Sequence, residues 1–483
     1  MIKRRSLLAL VGFMLLLAAS AGPRVGEASP RAQTGGWSDP MILTTEASRP
    51  ILAADSAGDL HLFFVGAEGA DDPQAKATIF YMNRIGGQWS PPLDVLISPG
   101  SSVSINGAVV DATGYIHVAW HDSGAAYHSK AHVSMAGNAS NWQTEVVITG
   151  RIPTGDMVLD DNGRLHRVVV VDFASVVYLY SDDGGNHWSA PVTVERLLDV
   201  EEFSIGGTQM AVDQTGGLHV TWTMTAQEVD WNLWSVWYGR SSDGGSSWQL
   251  TEMAAPLFGD SDIAVDGDNN VHLVYGRNIG YADGRWYQWS SNGGETWSNA
   301  RLLYQGVAYA SGITGGFDFA LDSAGQLHMV NSYGGRQGGL ASAWHMVWLG
   351  TRWSEPELLL GTEFHPHFCQ LEIIGGNKLE FVSLAPAESA SLVYREGTAA
   401  SPATEIQPVP TRMVEIEAEE ATIDEADLVE ATPAAPRIVL SDEARAAPPT
   451  DAPFNTLLIS VGLAAIVVLL VVVYQRRNRD GRR

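Results

Sequence analysis

Val110-Asp111-Ala112-Thr113-Gly114-Tyr115-Ile116-His117 reads as the end of one strand, a tight polar turn and the start of the next. The same sentence recurs along the chain. It stands at Ala54-Asp55 to Leu60-His61, Leu159-Asp160 to Leu165-His166 and Val212-Asp213 to Leu218-His219. It returns at Val265-Asp266 to Val271-His272 and Leu321-Asp322 to Leu327-His328, and in eroded form at Ile374-Gly375-Gly376-Asn377-Lys378-Leu379. Before each copy, some twenty residues upstream, stands a tryptophan: Trp37, Trp89, Trp142, Trp188, Trp248, Trp297 and Trp353. A period of about 50 residues made of short strands is the mark of a propeller or similar array. Each unit offers four strand candidates rich in Val, Ile, Tyr and Trp, separated by Gly, Asp and Ser turns. The expected fold class is therefore all-β, a seven-bladed β-propeller over residues 37–397.

The ends of that region predict how the ring closes. It opens with Gly36-Trp37-Ser38-Asp39-Pro40, the tryptophan strand of a unit, and finishes on a strand near residues 392–396 that lacks such a partner. Pairing first with last completes the seventh blade and removes a free edge.

Three turns carry a tighter pattern. Ser181, Asp183, Gly185 and Trp188 share their spacing with Ser241, Asp243, Gly245 and Trp248, and with Ser290, Asn292, Gly294 and Trp297. Each reads Ser-x-Asp/Asn-x-Gly-x-x-Trp, in which a short acceptor folds back on turn amides and Gly permits positive φ. These residues resemble the Asp-box, or bacterial neuraminidase repeat, of the sialidase-like propellers. In that family the box is a structural turn far from the pocket. The resemblance also implies six blades as the alternative count, and a site of three arginines, a tyrosine nucleophile with a glutamate, and an aspartate acid. Gly150-Arg151-Ile152-Pro153 approaches the family's first arginine motif without its aromatic residue, and Ser48-Arg49-Pro50-Ile51 occupies the corresponding place in the chain. Carried onto this chain, the implied catalytic set is Arg49, Arg151, Arg277 or Arg336, Tyr333 or Tyr281, Glu201 or Glu202, and Asp172 or Asp122.

In a propeller, loops entering each inner strand and loops joining second to third strands crowd one mouth of the axis. That rule gathers Arg49, Arg151, Asp262, Asp318, Glu363, His365 and His367 at one rim, with Asp172, Trp231, Tyr281, Tyr333 and Arg336 from the second set of loops. Trp231, Tyr281, Arg336 and His365 are the ligand-binding candidates. The bland alternative is that the arginines pair with rim carboxylates and the aromatics pack the blades. A histidine at one repeat position (His61, His117, His166, His219, His272, His328) predicts a recurring structural hydrogen bond, because blades spread such residues around a circle and away from metal geometry. Glu363-Phe364-His365-Pro366-His367 and Asp266-Gly267-Asp268-Asn269-Asn270 are the local metal alternatives; neither is preferred, and no metal or cofactor is expected.

The flanks predict where the propeller stands. Lys3, Arg4 and Arg5 precede an apolar run and the small residues Ala19-Ser20-Ala21, so residues 1–28 read as a signal peptide. Residues 398–455 are rich in Ala, Pro, Thr and Glu and read as a disordered acidic stalk. Residues 456–474 form an uncharged apolar run of roughly 30 Å as a helix, followed by a basic tail, 475–483. The expectation is a single-pass membrane protein with its propeller outside the cell. The formal charge of −26 argues against nucleic acid as a partner. An extracellular glycan or protein is the expected ligand, bound by a module whose alternative is a sialidase-type exo-glycoside hydrolase. The one cysteine, Cys369, is read as a small buried residue.

Overall fold

The computed structural model describes residues 36–399, apart from 67–75, 101, 198–202, 227–233, 258–260, 278–283, 306–316, 335–339, 376 and 387–389. The signal, stalk, apolar run and tail therefore lie outside the described residues. Among those described, no helix is long and apolar enough to cross a membrane.

Seven antiparallel sheets follow one another along the chain, so the blade count is seven and not six. Blades 1 to 6 span residues 47–97, 104–149, 155–196, 203–257, 261–305 and 317–360. Blade 7 takes three strands from residues 367–398 and its fourth from Met41–Thr44. The pairs are Met41 with Tyr394 and Ile42 with Val393. Ser38 extends the join: its amide donates to the Glu396 carbonyl at 2.7 Å, and its carbonyl accepts from Arg395 Nε at 2.6 Å.

One carboxylate oxygen organises the turn between the inner and second strands in blades 1 to 6. Oδ1 of Asp111 accepts from the amides of Thr113 and Tyr115, and Asp55, Asp160, Asp213, Asp266 and Asp322 do the same two and four residues on. The glycine after it must turn left-handed, with φ of +82° at Gly114. Asn269 and Asn377 take that conformation where glycine is missing, as asparagine can. Asp266 spends its oxygens on Asp268, Asn270 and His272, which makes the segment a plain turn.

The recurring histidine is buried behind that turn. Its Nε2 faces the turn carboxylate and, in all but His272, its Nδ1 faces a group on the third strand. His219 lies 3.2 Å from Asp213 Oδ2 and 2.7 Å from Tyr238 Oη. His166 repeats this with Asp160 and Tyr178, and His117 with Asp111 and His128. The expected structural hydrogen bond is thus a relay through the blade.

Tryptophans supply the cement between blades. Each of the seven sets its ring against an aromatic or histidine ring of the preceding blade, at centroid distances from 4.9 to 6.1 Å. Trp142 meets Tyr81, Trp248 meets Tyr178, and Trp89 meets Tyr394 of blade 7. Edge-to-face contacts of this kind add to the area they bury. Cys369 is fully buried beside Ser383, and desolvation raises its thiol to about 12.

Candidate functional site

The inner strands surround an axial channel of about 650 Å³. Asn106, Asp156, Gln209, Asp262, Asp318 and Gln370 stand around it, one from each of blades 2 to 7, with Ile51 in blade 1. Three of them act as stitches. Asp156 accepts from the Met210 amide of the next blade at 2.9 Å, Asp318 from Leu371 at 2.7 Å, and Gln370 from Leu52 at 3.3 Å. Burial drives Asp156 up to about 6 and Asp318 up to about 7. Glu372, in the same channel, is driven up to about 8 by burial and then by Asp318. Asp262 and Asp318 therefore belong to the channel and not to the rim where counting loops puts them.

At the mouth, the centre of the described site is the hairpin of strands Tyr115–His121 and Ala125–His132. Gly107 accounts for its neighbour. A Cβ there would stand 3.1 Å from the Met157 carbonyl, and the ladder slips between Ile105 and Gly107. Asn106 sits on that bulge, its Oδ1 2.9 Å from His121 Nδ1. The carbonyl oxygen can only accept, so Nδ1 carries the proton and Nε2 is left as an acceptor. His121 is held neutral, its pKa lowered to about 4 by burial and then by the charges of Arg167 and Arg49. Asp122 closes the turn, accepting from the amides of Gly124 and Ala125 and from Tyr127 Oη at 3.1 Å.

Two arginines border this hairpin. Arg49 opens the inner strand of blade 1 at φ +50°, a conformation that costs an L-residue about 1–2 kcal/mol. It is exposed, yet enough protein crowds the guanidinium that desolvation lowers its pKa. Among the described residues no carboxylate pairs with it. Arg151 lies in blade 3's approach, its guanidinium 4.7 Å over the Phe173 ring. Its amide donates to Asp172 Oδ1 at 2.9 Å, and its carbonyl accepts from the Asp172 amide at 2.7 Å. Asp172 and Phe173 both take positive φ to make this clasp.

Other arginines do meet carboxylates: Arg164 with Asp182, Arg240 with Glu295, Arg84 with Glu380 and Glu396. None of these three was expected at the rim, and among the described residues Arg49 and Arg151, which were, have no carboxylate partner, so the rim pairing is not seen for them. His365 lies in the approach to blade 7, its Nδ1 accepting from the Ala341 amide at 2.8 Å and its ring 4.6 Å from that of His367. Among the described residues, no group of three or more His, Cys, Asp or Glu side chains is placed to hold a metal ion. Arg277 and Tyr333 end second strands of blades 5 and 6, and their side chains lie outside the described residues. Trp231, Tyr281, Arg336, Glu201 and Glu202 lie outside them entirely.

The three Ser-x-Asp/Asn-x-Gly turns share one geometry. Ser181 Oγ accepts from the Gly185 amide at 2.9 Å, as Ser241 does from Gly245 and Ser290 from Gly294. Asp183, Asp243 and Asn292 each accept from the amide four residues on. They sit between third and fourth strands, away from the mouth. Sequence reading missed Asn106, Arg167, Glu372 and Asp156. A signal was present for the last: an Asp stands four residues before the turn Asp at 156, 262 and 318.

No family description matches the chain, and no curated protein does. Solved structures do. An ulvan lyase of polysaccharide lyase family 25 is 14% identical, covering 74% of this chain and 93% of its own, with a TM-score of 0.50. A Dyadobacter fermentans protein of unknown function is 13% identical over 76% of this chain and 100% of its own, with a TM-score of 0.45. The NanB sialidase of Streptococcus pneumoniae is 12% identical over 75% and 70%, with a TM-score of 0.42. Identities this low speak for fold alone. By fold, the chain is a seven-bladed β-propeller, similar in structure to the ulvan lyase.

Proposed function

We propose that this propeller is a glycan-binding module, held at the cell surface by the apolar segment 456–474 on its acidic stalk and exported by the signal at 1–28. One observation carries the binding reading: Arg49 stands at the mouth without a carboxylate partner among the described residues, beside a neutral His121 that offers Nε2 as an acceptor. In a chain of formal charge −26, such a cation is a locally positive spot. Together the pair gives one donor for an anionic or hydroxyl oxygen and one acceptor for a sugar hydroxyl. Arg151 on Phe173 supplies a flat cationic surface from blade 3, and His365 a further ring from the approach to blade 7. Trp231, Tyr281 and Arg336 are proposed as further ligand contacts. The three Ser-x-Asp/Asn-x-Gly turns are read as Asp-boxes with a structural role. The test is a glycan array probed with the full chain in mild detergent, repeated with Arg49→Ala. Specific binding lost in the variant supports the reading; a wild-type protein that binds no glycan removes it.

A second reading has one specific observation in its favour. His121 is neutral and its Nε2 has no hydrogen-bond partner among the described residues, the state a general base needs. Carbohydrate cleavage is then the function, hydrolytic or eliminative, as the names of similarly folded structures suggest. A sialidase-type assignment would use Arg49, Arg151 and Arg277 for a carboxylate, Tyr333 as nucleophile and Asp172 as acid. Turnover of a fluorogenic sialoside, or ultraviolet absorbance from an unsaturated uronate, would establish cleavage over binding.

A further inference from the structure

Strand Leu165–Val171 is apolar except at two residues, and one of them, Arg167, is 0% exposed. A buried guanidinium ordinarily finds a carboxylate, since desolvating a charge without one is costly. Arg167 instead spends its fork on main-chain carbonyls of the neighbouring blade. One terminal nitrogen donates to the Tyr127 carbonyl at 2.8 Å, the other to the Trp120 carbonyl at 3.2 Å. These two residues face each other across the hairpin, and their rings stack at 4.1 Å. Beyond the Trp120–Tyr127 pair come only His121, Ala126 and the turn that holds Asp122. Tyr127 Oη also donates to Asp122.

We propose that Arg167 is a positioning residue of the mouth, clamping from below the hairpin that carries His121 and Asp122 and lending its positive charge to His121. This rests on the reading of the mouth as the binding site. Lysine could supply the charge, but only a planar fork reaches both carbonyls at once.

Four groups face the imidazole. Arg167 approaches from blade 3 and Arg49 from blade 1, Asp122 follows it in the turn, and Asn106 comes from the inner strand of its own blade. Two cations against one carboxylate disfavour a second proton on the ring, and burial acts in the same direction. Asp156 bears on Arg167 from the channel, and its own carboxyl is pushed towards neutrality by burial. It offsets only part of the charge below His121. A ligand therefore meets an acceptor nitrogen held in place, across the range where a free histidine would have become a donor.

The test is the protonation of His121, read by NMR on the full chain in detergent with ¹³Cε1-labelled histidine, the signal assigned by its loss in His121→Asn. The wild-type ring is expected to stay neutral to about pH 5, with its midpoint near 4. In Arg167→Met the midpoint should rise by about one pH unit or more. Arg167→Lys should restore it, while amide exchange at residues 122–126 stays faster than in the wild type. A wild-type midpoint near the ordinary 6.5, or an unmoved midpoint in a folded Arg167→Met, overturns the charge role. Should Arg167→Met not fold, the wild-type midpoint and Arg167→Lys decide, and unchanged hairpin exchange in the latter overturns the clamp. None of these readings uses a glycan, so failure of glycan binding and failure of the clamp are separate results.

Discussion

Trp37 sets its indole edge-on to His345, 5.6 Å between centroids, and donates from Nε1 to Glu357 at 3.1 Å. Both partners belong to blade 6, more than three hundred positions along the chain from Trp37. The ring is shut by that contact and by the strand Met41–Thr44 beside it. With one cysteine in the chain, no internal disulfide shares the task. Trp37→Ala is expected to cost about 2–4 kcal/mol, from lost burial and the lost hydrogen bond to Glu357, which keeps His345. Amides of residues 41–44 should then exchange faster than those of blade 3. Unchanged thermal unfolding would contradict the closure.

The histidine relays give a paired test. Tyr238→Phe removes the hydroxyl at His219 Nδ1 and should destabilise by about 1–2 kcal/mol. In blade 5 the equivalent Nδ1 of His272 is buried without a hydrogen-bond partner among the described residues, so Tyr287→Phe should cost almost nothing. Equal losses in urea unfolding would show that the relay does not stabilise the blade.

Much of this was legible in sequence because it is local and repeated. The turn Asp, its Gly and the histidine six residues on lie within one hairpin, and repetition marks them as structural. Tryptophan closure followed from asking what the last strand lacks. Arg49 and Arg151 reached the mouth by counting loops. Arg167 was not legible, because its partners lie 40 and 47 residues away and contact exists only once blades stack. Asn106 was hidden by the bulge, which breaks the alternation that assigns strand faces. Asp262 and Asp318 were misplaced since an inner strand faces the channel along its length, and counting cannot say how deep a residue lies.

Acid should unfold the propeller through its histidines. His61, His117, His166 and His328 have folded pKa values below the ordinary 6.5, chiefly from burial, with His328 near 4. The unfolded chain then binds more protons below pH 6.5, so their contribution is full above that value and lost as pH falls towards 4. Asp111, Asp160 and Asp266 have lowered values, and their contribution fades only below about 3.8. Because the channel acids act in the opposite sense over this window, the histidine part is read by difference: His166→Asn should lose less stability than wild type between pH 6.5 and 4, and an equal loss would contradict neutral burial.

The channel acids predict an alkaline limb of opposite sign. Asp156, Asp318 and Glu372 are raised to about 6, 7 and 8, so the folded state holds protons that the unfolded chain has released. Their contribution is complete at low pH and lost as pH rises through those values. Glu372→Gln should be more stable than wild type by about 1–2 kcal/mol at pH 9, and nearly equal to it at pH 5. A difference that does not grow with pH would place Glu372 in bulk-like water.

The most direct test of the mouth as a glycan site compares wild type with Arg49→Ala on the glycan that wild type binds best. Arg49 makes no ion pair among the described residues, so its loss should leave the melting temperature within about one degree while affinity falls tenfold or more. Unchanged affinity in the variant, or no glycan bound by the wild type, contradicts the account.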